Sequence, residues 1–284
     1  PAFQNIFYFS YEIFTRIPHL TNVTDLLSED SKNNFLHPSN KQLNFENEIS
    51  FNNISFAYTK DKSQPLISNI NLKIQKNKKI AIIGPTGSGK STFLDLLLGM
   101  IEPDSGQITM DNEIISKGNL RSYRRNFSYV PQKIYFLEDT LQQNIAFGSN
   151  KELDKQKLDE AILNASLEDL ISNLPQGLET NISDSNQMVS GGQKQCIGIA
   201  RALYRGGDIL ILDEATSGMD QELEKQIYNS AFNSSFQSLI CVTHKPNLLS
   251  KFDQIFVFNN GNIEAIGSYE ELKNSSSFFN SMME

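Results

Sequence analysis

The sequence contains no tryptophan, three histidines and only two cysteines in 284 residues. Cys196 and Cys241 stand far apart in apolar surroundings, so neither a disulfide framework nor a cysteine metal site is expected. They read as small buried hydrophobes in a reducing compartment. His19, His37 and His244 show no ligand spacing with them. No apolar run approaches the ~20 residues needed to cross a bilayer; the best stretch, 93–101, is broken by Asp95 and Gly99. A basic surplus is missing too. Lys and Arg number 25 against 33 Asp and Glu, a net charge of -8, with no Lys/Arg block. That balance argues against nucleic-acid partners, which require a basic face, but leaves room for a local basic pocket around phosphates. The chain opens at Pro1 with no Met and no signal-peptide pattern, and reads as a fragment or one domain of a longer chain.

What is present suits a globular protein with a sizeable core: 39% hydrophobic and 20% charged residues. Residues 1–27 carry Ile6, Phe9, Ile13 and Ile17 at irregular helical spacing, and 28–42 are polar and turn-rich, as a linker would be. From Ile49 to Tyr58, and again from Ile70 to Ile74, alternation predicts strands. The apolar run Lys79–Ile83 predicts a buried parallel strand, followed by a Gly-rich turn and a helix with Leu94, Leu97, Leu98 and Ile101 on one face. Strands are expected at 107–110, 127–130, 208–212, 238–242 and 254–258. Helices are expected near 140–147, 154–164, 166–173, 190–204 and 221–233. Asn260-Gly261 marks a hairpin turn into a strand at 262–266.

The first chemical motif is Gly84-Pro85-Thr86-Gly87-Ser88-Gly89-Lys90-Ser91, which fits G-x-x-x-x-G-K-[ST] between an apolar strand and an amphipathic helix. Glycines let backbone N–H groups converge on phosphate oxygens, and the helix start adds about half a positive charge. Lys90 is placed to reach the β- and γ-phosphates and Ser91 to ligate Mg²⁺, with Thr92 assisting. The second motif is Ile209-Leu210-Ile211-Leu212-Asp213-Glu214, an apolar strand ending in two acids. Ligands in open α/β sheets bind at the carboxyl ends of strands. Asp213 is the natural Mg²⁺ partner and Glu214 the candidate to polarise an attacking water.

The third motif, Ser190-Gly191-Gly192-Gln193, opens a predicted helix. Ser190 with Gln193 fits a capping box, a purely structural role. A capping box does not need two consecutive glycines, which cost a helix about 1 kcal/mol each. Their presence suggests that something approaches the backbone closely. The chain thus carries two anion-ready helix starts, and one nucleotide fills only the first; the second makes sense if it meets a γ-phosphate held by another subunit.

Residues from about 43 to 270 resemble the nucleotide-binding domain of ABC transporters of the exporter type. The phosphate loop, the Ser190–Gln193 signature, the Asp213-Glu214 strand end and the downstream His244 stand in family order and spacing. The resemblance implies an α/β P-loop NTPase fold: an ABC cassette with a RecA-like core, an antiparallel β-subdomain and an α-helical subdomain at about 131–205. It implies ATP and Mg²⁺ as ligands, and two copies that sandwich two ATP molecules between one chain's phosphate loop and the other's Ser190, Gly191, Gly192 and Gln193. Tyr58 matches the aromatic that stacks on adenine. Gln132 matches the glutamine that touches Mg²⁺ and the attacking water. Asp220 ends Ser217-Gly218-Met219-Asp220, which matches the loop that crosses the dimer interface. His244 matches the switch histidine on the γ-phosphate. Residues 1–42 resemble the end of a last membrane helix with its connector, leaving 43–284 as the cassette, at the cytoplasmic face of an inner or plasma membrane. The stretches 119–125 and 144–148 look most like exporters that flip lipid-linked oligosaccharides or polysaccharides.

This sequence departs from the family in places. Val189 replaces a Leu, Gly218-Met219 stands where Ala-Leu is usual, and 180–188 keeps only Asp184 as a charge where exporters carry Gly-Glu-Arg-Gly. Three rival readings fare worse. A soluble ABC ATPase acting on DNA or ribosomes would bring a coiled-coil insertion or a second cassette. A small-molecule phosphotransferase has no use for Ser190–Gln193. A non-hydrolysing module has no use for Glu214 and His244.

Overall fold

The computed structural model describes residues 42–59, 65–148, 153–184 and 188–283. The expected helix at 1–27, all of the linker but Gln42, and His19 and His37 lie outside the described residues.

Two sheets organise the chain. The first is antiparallel, in the order β2-β1-β4-β5, built from β1 (Glu48–Phe56), β2 (Ile67–Gln75), β4 (Ser105–Met110) and β5 (Glu113–Ile114). Alternation in β2 sends Ile67, Ile70, Leu72 and Ile74 inward, as expected of a half-buried strand. The expected strand from Ile49 to Tyr58 needs correcting. Its register shifts between Phe51 and Ile54, where Asn53 takes a positive φ of 53°, and the strand ends at Phe56. Tyr58 sits two residues beyond it, exposed.

The second sheet has six strands in the order β12-β11-β3-β10-β9-β6, from β3 (Lys79–Ile83), β6 (Phe127–Val130), β9 (Ile209–Asp213), β10 (Ser238–Val242), β11 (Gln254–Asn259) and β12 (Asn262–Gly267). All neighbours are parallel except β11 and β12, which form the hairpin at Asn260-Gly261. Both turn residues have positive φ, which a two-residue hairpin loop of this kind requires. Side chains alternate between two cores. Ile80, Ile82, Ile209, Ile211, Ile240, Val242, Phe256 and Phe258 pack towards the antiparallel sheet. Ala81, Leu210, Leu212, Cys241, Ile255 and Val257 pack towards the helices. Both cysteines are free and buried; burial pushes the Cys196 thiol up to about 11 and Cys241 higher still, consistent with inert core residues.

Helix α1 (Lys90–Leu97) follows β3 and joins the first core. Helix α2 (Leu120–Arg124) precedes β6 and joins the first core through Tyr123; the helical region holds α3 (Leu141–Ile145), α4 (Lys155–Asn164), α5 (Glu168–Asn173) and α6 (Gly191–Arg205), and α7 (Gln221–Phe232) follows β9. The longer helices agree with expectation within the usual fraying of ends, but α1 ends at Leu97, with Gly99 at a φ of 64°, so Ile101 lies beyond the helix face expected to carry it. The region is not purely helical, since β7 (Asp139–Thr140) pairs with β8 (Asn181–Ile182). Also unforeseen are α2, α8 (Pro246–Leu249), α9 (Tyr269–Ser275) and α10 (Ser277–Met283), all too short to show periodicity. Among the described residues no helix is long and apolar enough to cross a membrane.

Phe93 ties the layers together. It is fully buried on α1, with ring centroids 5.0 Å from Phe51 of β1 and 5.1 Å from Phe258 of β11. Phe93→Ala removes the shared ring of three elements and is expected to cost roughly 3–5 kcal/mol in urea unfolding; a loss under about 1 kcal/mol would show that the layers do not depend on it.

Candidate functional site

The phosphate loop runs from the end of β3 into α1 at the carboxyl edge of the parallel sheet. Pro85, Thr86 and Gly87 form its exposed tip, while Ser88, Gly89 and Lys90 are buried. A Cβ on Gly84 would stand 2.4 Å from the Phe258 carbonyl oxygen and 2.7 Å from Ser88 Oγ, so only glycine lets the loop lie this close to β11. Lys90 Nζ donates to the carbonyls of Gly84 (2.7 Å) and Pro85 (2.9 Å). Burial pushes its ammonium down, opposed by the Glu214 and Asp213 carboxylates. The helix start at Gly89 receives no side-chain cap, which leaves N–H groups facing the loop. Ser88 Oγ is buried with no hydrogen-bond partner. Such an orphan calls for a missing acceptor, and a phosphate oxygen is a fitting one.

The two acids sit where β9 leaves the sheet, flanked on both sides by β6 and β10. Asp213 Oδ2 accepts from the Tyr129 hydroxyl at 3.1 Å. Burial raises the Asp213 carboxyl, the charges of Glu214 and Asp95 push the same way, and Tyr129 and Lys90 pull it down. Glu214 adopts a φ of 48°, a left-handed conformation that costs a non-glycine residue and is concentrated at functional sites. Its carboxylate is held from two directions. Gln132 Nε2 donates to Oε2 at 2.7 Å, and His244 Nε2 lies 3.0 Å from Oε1. Three segments distant in sequence therefore converge on one carboxylate.

Gln132 is anchored in turn to α6. Its carbonyl accepts from the buried Gln195 amide. Gly198 leaves space for Ile134, whose Cδ1 would stand 2.3 Å from an added Cβ. Arg201 donates to the carbonyls of Asn144 (2.8 Å) and Tyr135 (3.2 Å). Thus the segment bearing Gln132 and the helix opening at Ser190 form one packed unit.

Tyr58 packs edge-on against Phe56, with centroids 4.9 Å apart, and lies close enough to Asp95 on α1 to work against the rise that burial gives its carboxyl. Asp95 lies one helical turn beyond Ser91, so the ring is held beside the phosphate-loop helix. Ser91 is exposed at the start of that helix and Thr92 is buried beneath it. Ser91, Asp213 and Gln132 offer the oxygen donors that suit Mg²⁺, which takes one or two protein ligands and completes its shell with phosphates and water. Among the described residues no group of three His, Cys, Asp or Glu side chains could hold a metal by itself.

At the other helix start, Ser190 and Gln193 form the full capping box: Gln193 N donates to Ser190 Oγ (3.3 Å) and Ser190 N to Gln193 Oε1 (2.8 Å). The glycines between them are not demanded by this chain. A Cβ on Gly191 would meet nothing within 4 Å, one on Gly192 would make only ordinary contacts from 3.6 Å, and neither residue has positive φ. Among the described residues no hydrogen bond joins Ser190–Gln193 to 84–92. Asp220 caps α7, accepting from Leu223 N at 2.9 Å.

Sequence reasoning missed two contributors. Tyr129 was visible only as a strand residue before Gln132. Gly261 was visible only as a turn residue, yet its N–H donates to the Ser88 carbonyl and its carbonyl accepts from Ser68 N, both at 3.0 Å. A Cβ there would lie 1.9 Å from the Leu66 oxygen, at a φ of 77°. Gly261→Ala is expected to displace the phosphate loop and weaken binding of a fluorescent ATP analogue roughly tenfold, equivalent to about 1.4 kcal/mol. Gly118→Ala, where an added Cβ meets only Ser116 Oγ at 3.9 Å, serves as the neutral control; equal affinity of the two variants would remove Gly261 from the site.

The sequence profile of the ABC transporter family matches residues 67–217. An ATP-dependent lipid A-core flippase of Ralstonia nicotianae is 35% identical over 229 residues, covering 79% of this chain and 38% of that protein. ABC transporter B family member 14 of Arabidopsis thaliana is 34% identical over 233 residues, covering 82% of this chain and 19% of that protein. The solved structure of a bacterial Atm1-family ABC exporter with ATP bound superposes with a TM-score of 0.80 at 29% identity, covering 88% of this chain and 43% of that one. The chain thus spans about two fifths or less of these relatives. With the phosphate loop, the paired acids and the Ser190–Gln193 helix start in their places on this fold, the chain belongs to the ABC transporter family.

Proposed function

We propose that this chain is the ATP-hydrolysing cassette of an exporter, acting as a pair. The observation that carries the reading is Glu214, its two carboxylate oxygens held by Gln132 and His244 beside a phosphate loop with an unpartnered buried hydroxyl. Gly84–Thr92 bind the triphosphate through backbone N–H groups and Lys90, and Tyr58 presents its ring to the adenine. Ser91, Asp213 and Gln132 hold Mg²⁺, which when bound offsets the charge on the phosphate oxygens. Glu214 orients a water for in-line attack and takes its proton, and His244 contacts the γ-phosphate. Lys90 then exchanges its bonds to the Gly84 and Pro85 carbonyls for phosphate oxygens, recovering the charge partner that burial makes it need.

A second copy supplies Ser190, Gly191, Gly192 and Gln193 to the same γ-phosphate, with Asp220 in the loop at the interface. The support is that Gly191 and Gly192 have no reason to be glycine within this chain. ATP favours the closed pair, and hydrolysis reopens it; that difference in affinity is what does work on a membrane partner. In this reading residues 1–42 are the end of a membrane helix and its connector, 43–284 the cassette and about 131–205 its helical subdomain. The transmembrane domain is fused upstream, and the cassette sits at the cytoplasmic face. The substrate class is a lipid-linked saccharide, supported by the flippase relatives and by the wording of 119–125 and 144–148.

Three variants test the reading in ATP binding, turnover and sedimentation. Lys90→Ala is expected to abolish ATP binding. Glu214→Gln is expected to keep binding, lose turnover by at least about 100-fold and accumulate an ATP-bound dimer; turnover at the parent rate would refute the base assignment. Ser190→Arg is expected to prevent ATP-dependent dimerisation, and a dimer of undiminished strength would refute the shared site.

A further inference from the structure

Next to the Glu214–His244 contact in sequence lies a ring of neighbouring residues that none of the roles above uses. Thr216 follows Glu214 by two residues and is 2% exposed. Its hydroxyl donates to Glu224 Oε1, in the first turn of α7, at 2.7 Å. The same Glu224 oxygen pairs with Lys245 Nζ. Lys245 N donates to Thr243 Oγ1 at 3.2 Å, and the Thr243 side chain neighbours the Tyr228 hydroxyl, working against the rise that burial gives it. Tyr228 closes the ring, its hydroxyl 3.3 Å from Thr216 Oγ1. Thr243 and Tyr228 are also 2% exposed, and the Glu224 side chain 14%.

The placement gives the ring its meaning. Thr243 and Lys245 flank His244 on both sides. Thr216 begins the loop through Ser217, Gly218, Met219 and Asp220, and only Ala215 separates it from Glu214. The ring therefore fixes the backbone on either side of the histidine to the backbone just after the acid. It does so without touching the phosphate loop; among the described residues no hydrogen bond joins its side chains to 84–92. A partly buried carboxylate that accepts from both a hydroxyl and an ammonium has little freedom, and loss of either donor leaves it partly unpaired.

We propose that Glu224 is a positioning residue, whose carboxylate, through Thr216 and Lys245, locks the loop 216–220 to the segment bearing His244 so that Glu214, His244 and the interface loop move as one body. The proposal rests on the ATPase reading above. It places the ring outside nucleotide binding and inside turnover. Geometry at the reacting atoms is what suffers when the ring opens, and misplacement of about 1 Å suffices for large rate losses.

The test measures ATP turnover of the 284-residue chain together with its Kd for a fluorescent ATP analogue. Thr216→Val is expected to lower kcat about tenfold with Kd within about twofold of the parent, and Thr216→Ser, which keeps the hydroxyl, to recover kcat to within about twofold. Lys245→Met, at a half-exposed position that folding tolerates, is expected to lower kcat about fivefold, and Thr216→Val with Lys245→Met to fall no further than the worse single variant, because both act through one oxygen. Parent kcat in Thr216→Val or in Lys245→Met overturns the proposal. So does a matching loss of nucleotide affinity, a failure of Thr216→Ser to recover, or a double variant equal to the product of the singles. A parent chain that binds the analogue but never turns over ATP overturns the ATPase reading and this proposal with it. A parent that turns over beside unaffected variants overturns this proposal alone.

Discussion

The Glu214 carboxylate, held between Gln132 and His244, is the contact on which the rest of the site depends. A glutamate at a φ of 48° is conformationally costly, and its two oxygens meet donors from segments 82 and 30 residues away. Each donor is itself braced. Gln132 rides on α6 through Gln195, and His244 sits between two members of the Glu224 ring. The acid is thereby tied to two parts of the molecule at once: the helical region with its Ser190 start, and the segments that flank the loop leading to Asp220.

The sheet explains how this is possible. β9 is covered on both faces and paired on both edges, so its end is fixed and Asp213 and Glu214 emerge at a defined place. β3, two strands away, delivers the phosphate loop to the same edge, and β10, between them, delivers His244. The hairpin between β11 and β12 then reaches under the loop through Gly261. Alternation within each strand divides its side chains between two cores, so the edge that carries chemistry is held from above and below.

Much of this was legible in the sequence, and for identifiable reasons. The phosphate loop, the strand ending in Asp213-Glu214, the capping box at Ser190 and the Asn260-Gly261 turn are local patterns whose meaning lies within a few residues. The register shift around Asn53 was not, because it depends on partner strands, and neither was the strand end at Phe56, two residues short of Tyr58. Short helices such as α2 and α8 carry too few residues for a period, although Ser268 and Glu271 do spell the capping box that opens α9. Least legible were contacts between distant segments: Gly261 with Ser88, Tyr129 with Asp213, and Glu224 with Lys245. Each pairs ordinary residue types, and only the fold makes them neighbours.

The central claim is that one nucleotide's terminal phosphate is met by donors from two chains. Mixing two inactive variants tests it most directly. Chains carrying Lys90→Ala keep an intact Ser190 helix start, and chains carrying Ser190→Arg keep an intact phosphate loop, so a mixed pair contains one complete site. The account predicts that ATP turnover, absent from either variant alone, returns on mixing and is greatest near equal proportions. A mixture no more active than its separate components would contradict it.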